Sequence, residues 1–279
     1  MQLIALGCGY VATALAKRLL AAGWSATGTT RSGGRADMLR EQGIAPVIWP
    51  GTTPDLQAGA AWLVSTPPDA EGCPAFRAFG EQAKTAAWIG YLSTTGVYGD
   101  LGGGWAFEET PVNPMSPEAR NRATAEAQWL STGAQVFRLP GIYGPGRSAL
   151  ERVRAAGARR IVKPGQVFSR AHRDDIAAAL ARSIARPTPG AIYNVCDDEP
   201  CGADTVLAYA AELLGLSPPP AVAFEDAGLS DAAKRFYAEC KRVSNAKAKA
   251  ALGWLPVYPS YREGLMACLT CETDQPAST

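Results

Sequence analysis

Six residues near the start of the chain, Gly7-Cys8-Gly9-Tyr10-Val11-Ala12, constrain its fold more than any other stretch. They follow the apolar run 2–6 without a spacer and lead into residues 9–22, where Val11, Leu15, Leu19 and Leu20 recur at helical spacing. A strand that turns straight into a helix needs a residue free to take positive φ, which the first glycine supplies. The second glycine leaves room for a group to approach the backbone, and the small Ala12 lets the helix lie close to the strand. Unpaired N–H groups and the dipole at the helix start favour an anion. The G-x-G-x-x-A pattern therefore reads as a pyrophosphate cradle in which Gly7, Gly9, Tyr10 and Val11 hold a dinucleotide.

The residue types after the second strand bear on which dinucleotide that is. NAD(H) binders place a carboxylate there for the ribose hydroxyls. This chain has Gly28-Thr29-Thr30-Arg31-Ser32, with Arg35 shortly after. A guanidinium flanked by hydroxyls suits a 2′-phosphate, so Thr30, Arg31 and Ser32 favour NADP(H) over NAD(H). The alternative is that Arg31 is an ordinary exposed loop arginine.

Strand-like runs at 24–29, 45–49, 61–65, 88–93 and 134–138 alternate with helical patterns at 34–41 and Pro117–Leu130. Such alternation predicts an α/β, Rossmann-type, doubly wound parallel sheet. Residues 49–61 are too rich in Gly, Thr and Pro for a crossover helix, which predicts a trimmed version of that fold. Beyond residue 146 helical patterns dominate, at 148–156, 173–185, 203–214, 230–239, 245–252 and 259–269. The expected organisation is a dinucleotide-binding domain over 1–146, with 165–195 returning to it, and a smaller helix-rich lobe over 147–279.

The net charge of +1 gives no general attraction for nucleic acid or membrane. Seven scattered cysteines without framework spacing fit a reducing, cytoplasmic setting, and Cys268-x-x-Cys271 has no partner pair to make a zinc site. Lys17 and Arg18 interrupt the first apolar run too early for a signal peptide, and no uncharged stretch approaches the ~20 residues that span a bilayer. A single histidine, His172, leaves little for a histidine-based metal site or triad. Basic residues cluster from Arg147 to Arg173 (Arg152, Arg154, Arg159, Arg160, Lys163 and Arg170 lie between), opposed only by Glu151. An anionic substrate at Arg147 and Arg170 is one reading and a solvated helix face the other. No interleaved aromatics support RNA binding.

Three further segments carry a family resemblance: Ser93-Thr94-Thr95-Gly96-Val97-Tyr98-Gly99, Arg138-Leu139-Pro140-Gly141-Ile142-Tyr143-Gly144-Pro145-Gly146-Arg147, and the run 169–177. With the glycine turn, Tyr193-Asn194-Val195 and Leu252-Gly253-Trp254, they resemble the extended short-chain dehydrogenase/reductases, the group of nucleotide-sugar epimerases and dehydratases, from residue 1 to about residue 265. The resemblance implies that Thr94 holds a substrate oxygen and that Pro140 lies against the nicotinamide. It also places Ser65, Thr66 and Pro67 near the nicotinamide ribose and implies a homodimer. The family's catalytic Tyr-x-x-x-Lys pair is not matched: Glu118 stands where tyrosine is expected and Arg122 where lysine is. At i, i+4 they are expected to form a helix-surface ion pair, worth ~0.3–0.5 kcal/mol. Tyr98 and Tyr143 are the aromatic alternatives as proton donors. Two readings follow: an NAD(P)H-dependent oxidoreductase or epimerase-like enzyme on a small, phosphate-bearing substrate, or a catalytically silent NADP(H)-binding sensor.

Overall fold

A computed structural model of the chain describes residues 1–273; the last six residues of the expected lobe lie outside the described residues. In chain order the first half runs β1 (Gln2–Leu6), α1 (Tyr10–Ala21), β2 (Ser25–Thr30), α2 (Gly33–Glu41), β3 (Ala45–Ile48), β4 (Ala61–Val64), α3 (Pro74–Phe79), β5 (Trp88–Thr94), β6 (Trp105–Ala106), α4 (Pro117–Leu130) and β7 (Gln135–Leu139). The second half runs β8 (Gly141–Tyr143), α5 (Ala149–Arg154), β9 (Arg160–Val162), β10 (Arg170–His172), α6 (Arg173–Ala185), β11 (Ile192–Asn194), α7 (Ala203–Leu213), β12 (Ala221–Ala223), α8 (Asp231–Tyr237), β13 (Arg242–Val243), α9 (Ala246–Leu252) and α10 (Tyr261–Thr273).

Seven strands form one parallel sheet in the order β11-β7-β5-β4-β1-β2-β3. Both faces are covered, which is why its strands read as near-continuous apolar runs. Leu3 and Ala5 of β1 point into a core built with α1 and α6, whereas Ile4 and Leu6 point into a second core with Trp62, Phe79 and Trp129. No helix forms between β3 and β4 among the described residues, in line with the composition of that stretch. From β1 the chain moves outward to β2 and β3, then returns to β4 on the other side of β1. This reversal opens a crevice at the carboxyl ends of β1 and β4, where ligands of open α/β sheets bind.

Outside that sheet, β8 pairs with β10, β9 with β12, and β13 with β6. The last pairing fastens a strand from the far end of the sequence to the loop that follows β5. The helix expected over 230–239 stops at Tyr237, and the chain passes through Glu239 and Lys241, outside any helix or strand, into β13. No helix among the described residues is long and apolar enough to cross a membrane.

Candidate functional site

The glycine turn sits at the mouth of the crevice. Gly7 has φ 89°, and a Cβ there would lie 2.9 Å from the Thr66 amide nitrogen. Its own N–H donates to Thr29 Oγ1 at 2.7 Å, and the Cys8 N–H donates to the Thr29 carbonyl at 2.7 Å. The Ser65 hydroxyl donates to the Gly7 carbonyl, and the Thr66 hydroxyl to the Leu6 carbonyl at 3.0 Å. The turn is thus held between the ends of β2 and β4. Gly9 caps α1 with φ −90° and no side-chain hydrogen bond, and α1 has no acidic residue in its first turn. Its leading N–H groups are left for an anion to satisfy. Val11 is buried against the sheet. Tyr10 donates to the Pro145 carbonyl at 2.9 Å, with the Arg173 guanidinium 4.7 Å and that of Arg147 5.8 Å from its ring. Burial pushes the Tyr10 phenol up to about 12.

At the end of β2, Arg31 is exposed and Ser32 caps α2 by accepting from the Arg35 N–H at 3.3 Å. Arg35, rather than Arg31, touches the turn: its guanidinium donates to Thr13 Oγ1 at 2.9 Å and to the Cys8 carbonyl at 3.4 Å. Thr30, half-buried, closes this corner, and no carboxylate occurs between residues 28 and 35.

Further along the sheet a cavity of about 430 Å³ opens beside the ends of β5 and β7. Thr94, Thr95, Ser116, Pro140, Phe168 and Lys241 contribute to its walls. Thr94 Oγ1 accepts from the Gly96 N–H at 3.1 Å, so the hydroxyl proton remains available to a ligand. Beneath it lies a buried polar network. The Ser93 hydroxyl donates to Glu126, Arg138 pairs with Glu126 at 2.8 Å, and the Arg138 guanidinium stacks 4.8 Å from the Tyr98 ring.

The two positions matched to the family's Tyr and Lys separate in space. Glu118 is exposed at the cavity rim, where its own backbone N–H, Arg235 and the Ser116 hydroxyl hold its carboxyl below the usual range. Arg122 turns away and donates to the Leu92 carbonyl at 3.0 Å and to the Tyr91 hydroxyl at 3.3 Å. The expected Glu118–Arg122 ion pair does not form; buried acceptors on β5 are better partners for the guanidinium than an exposed carboxylate. Tyr98 donates to Asn194 Oδ1 at 2.8 Å and Tyr143 to the Ser260 carbonyl at 3.3 Å, and burial pushes both phenols up.

The basic stretch does not form one surface. Arg154 pairs with Glu272 at 2.8 Å, Arg160 donates to the Pro219 carbonyl at 2.8 Å, and Lys163 to that of Tyr237 at 2.5 Å. Only Arg147, Arg152 and Arg170 of that stretch line a second cavity, of about 390 Å³, with Leu207 and Tyr261 on its apolar side. Arg170 is anchored there by the Phe168 carbonyl at 2.8 Å. Phe168 and Phe236, stacked 4.6 Å apart and 8° from parallel, line both cavities, which also share Gly141 and Ser169. His172 is buried and accepts from the Asp174 N–H; burial lowers its imidazole to about 4. No cluster able to hold a metal occurs among the described residues. Sequence reasoning missed Arg235, Glu239 and Lys241, which reach the first cavity from the lobe.

Sheet order and glycine turn together define a Rossmann-type α/β protein. Over 99% of this chain and 97% of its own, the fold matches dTDP-glucose 4,6-dehydratase from Bacillus anthracis in complex with NAD, with a TM-score of 0.78 at 16% identity. The chain belongs to the family of a conserved, functionally unknown protein from Silicibacter pomeroyi, 47% identical over 97% of this chain and 98% of that one, with a TM-score of 0.93. It is also 28% identical over 234 residues to protein YeeZ of Escherichia coli, covering 76% of this chain and 84% of YeeZ. No family model matches the sequence.

Proposed function

We propose that the chain is an NADP(H)-dependent oxidoreductase or epimerase-like enzyme acting on a small, anionic substrate. The observation that carries the nucleotide site is Gly9. A Cβ there would meet nothing within 4 Å and its φ is ordinary, so the protein's own packing does not require glycine. Close approach of a ligand's pyrophosphate to the backbone does. The unsatisfied N–H groups of α1 fit that anion, and Arg31 with Arg35 fit a 2′-phosphate. Bound, the nicotinamide would supply or accept a hydride beside Pro140. Thr94 would hold the reacting oxygen through its free hydroxyl proton, and Arg147 and Arg170 would draw the substrate's anionic end into the second cavity.

Calorimetric titration of NADPH and NADH tests the reading. A charge-assisted hydrogen bond is worth roughly 1.5–3 kcal/mol, so Arg31→Ala and Arg35→Ala should each weaken NADPH about 10- to 100-fold and barely touch NADH. Equal affinity of the wild type for both cofactors would overturn the preference. A second reading, a catalytically silent NADP(H) sensor, draws support from Glu118 and Arg122: an exposed ionised carboxylate and a tethered guanidinium do not replace the family's proton relay. Turnover with any carbonyl substrate removes it.

A further inference from the structure

The first cavity needs an acid if a carbonyl is to be reduced there, and its lining offers few. The hydroxyls of Thr94, Thr95 and Ser116 are too weakly acidic to yield a proton to an alkoxide and remain ionised. Glu118 is held as a carboxylate, and a guanidinium such as that of Arg235 does not deprotonate in proteins. Lys241 remains. Its residue is 9% exposed, and its ammonium donates to the Gly99 carbonyl at 2.7 Å and to Glu239 Oε2 at 2.5 Å. An ammonium has three N–H bonds, so one is left over at a group that lines the cavity together with Thr94 and Pro140.

The geometry around this lysine is fixed from both sides. Gly99 ends the same loop that Thr94 begins. The Cys240 N–H donates to Asp100 Oδ1 at 2.7 Å, while the Leu101 and Gly103 N–H groups donate to the Cys240 carbonyl at 3.2 and 2.9 Å. Pairing of β13 with β6 continues the staple, and Gln166 donates to the Glu239 carbonyl at 2.7 Å. Lys241 is thus preorganised against the strand end that carries Thr94, as a proton donor must be.

Resting on the nucleotide reading above, we propose that Lys241, delivered from the lobe, is the proton donor of this site and takes the part that tyrosine plays elsewhere in the superfamily. A lysine ammonium and a tyrosine phenol are acids of nearly equal ordinary strength. As a hydride from the dihydronicotinamide reaches the carbonyl carbon, the C=O π pair moves to the oxygen. Lys241 gives that oxygen its third proton, one N–H bond breaking as one O–H bond forms. The neutral amine, still held by Gly99 and Glu239, is reprotonated by water. Glu239 is a positioning residue that holds the Lys241 nitrogen at 2.5 Å.

Two measurements test this. Acetic anhydride labelling of the wild-type protein, read by mass spectrometry, should acetylate Lys241 without nucleotide and about 10-fold more slowly with saturating NADP+. A lysine inert without nucleotide, or labelled at the same rate with it, overturns the proposal, and this arm needs no substrate and no variant. The second arm follows NADPH oxidation with a panel of aldehydes and 2-oxo acids. Lys241→Gln should lower kcat about 10²- to 10³-fold at neutral pH while leaving the NADPH Kd unchanged. Lys241→Arg keeps the charge but not the transferable proton and should be as slow; recovery in that variant would show a positioning charge and overturn proton donation. Wild-type protein that binds no NADP(H) removes the nucleotide reading itself, whereas nucleotide binding with undiminished Lys241→Gln turnover removes this proposal alone. If no carbonyl in the panel reacts, the labelling result decides.

Discussion

A methyl group on Gly7 would press on the Thr66 amide in a backbone conformation that L-residues avoid, whereas one on Gly9 would project into open space. The two glycines of one turn should therefore fail differently. Gly7→Ala should destabilise the fold by ~1–3 kcal/mol, read as a fall in urea midpoint. Gly9→Val should fold with nearly unchanged stability yet lose NADPH and NADH binding together; retained nucleotide affinity in the folded variant would show that the cradle lies elsewhere. A different residue-scale effect belongs to Asp197, which is 3% exposed with both carboxylate oxygens buried. Burial pushes its carboxyl up to about 8. Because the folded value exceeds the unfolded one of ~3.9, the native state holds an extra proton between those limits. The stabilisation is complete below pH ~4 and is lost as pH rises through about 8. Asp197→Asn, neutral throughout, should accordingly gain stability over the wild type as pH is raised from 5 to 9, by roughly 1–3 kcal/mol at the upper end. A Tm difference that shrinks over that range would contradict this.

Among the elements, α4, β5 and β7 are joined by the Ser93–Glu126–Arg138 network, with Glu126 and Arg138 side chains 5% exposed each. Removing one partner leaves a buried charge uncompensated, so Glu126→Ala should cost about 3–5 kcal/mol in urea unfolding. Glu126→Met combined with Arg138→Met should recover most of that loss; no recovery would mean that the pair does more than neutralise itself. The same elements show what was legible in the sequence. Helices α1 and α4 and the strands of the large sheet announce themselves by apolar spacing, because each buries a face against that sheet. The ladders β8–β10, β9–β12 and β13–β6 are two or three residues long and exist only through partners distant in sequence, so no local pattern marks them. The placement of Thr94 at a strand end and of the glycine turn between β1 and α1 was legible because that backbone setting is written in adjacent residues. Arg35 was seen only as a neighbour of Arg31, although its reach to Thr13 depends on the start of α2. Lys241 carried no signal: helical periodicity ran on to 239, and the local charge excess drew attention to 147–173 instead.

At the scale of the whole molecule, the large sheet is completed from the second half of the chain. Edge strand β11 pairs with β7, α6 packs on α1, and Leu252 and Trp254 join the core that holds Leu3 and Leu15. Asp175 at the start of α6 ties in the segment before α10, accepting from the Val257 N–H at 2.7 Å and the Tyr258 N–H at 3.0 Å. A fragment ending at residue 146 exposes one core face and leaves β7 as an unpaired edge, so it should show no cooperative thermal transition, whereas the full chain should melt in one. A sharp, reversible transition in the fragment would show that the sheet closes without its later partners.

The position of Trp254 has a consequence for how the protein is made. Synthesis at ~5–20 residues per second releases β1 through β7 several seconds before that indole leaves the ribosome. Throughout that interval the α1 side of the sheet, covered by α1 and then by α6, still lacks one of its permanent covers, so the nascent chain presents an apolar patch until its last quarter emerges. Chaperone dependence during translation, more than the stability of the finished protein, should therefore respond to changes around Leu252 and Trp254.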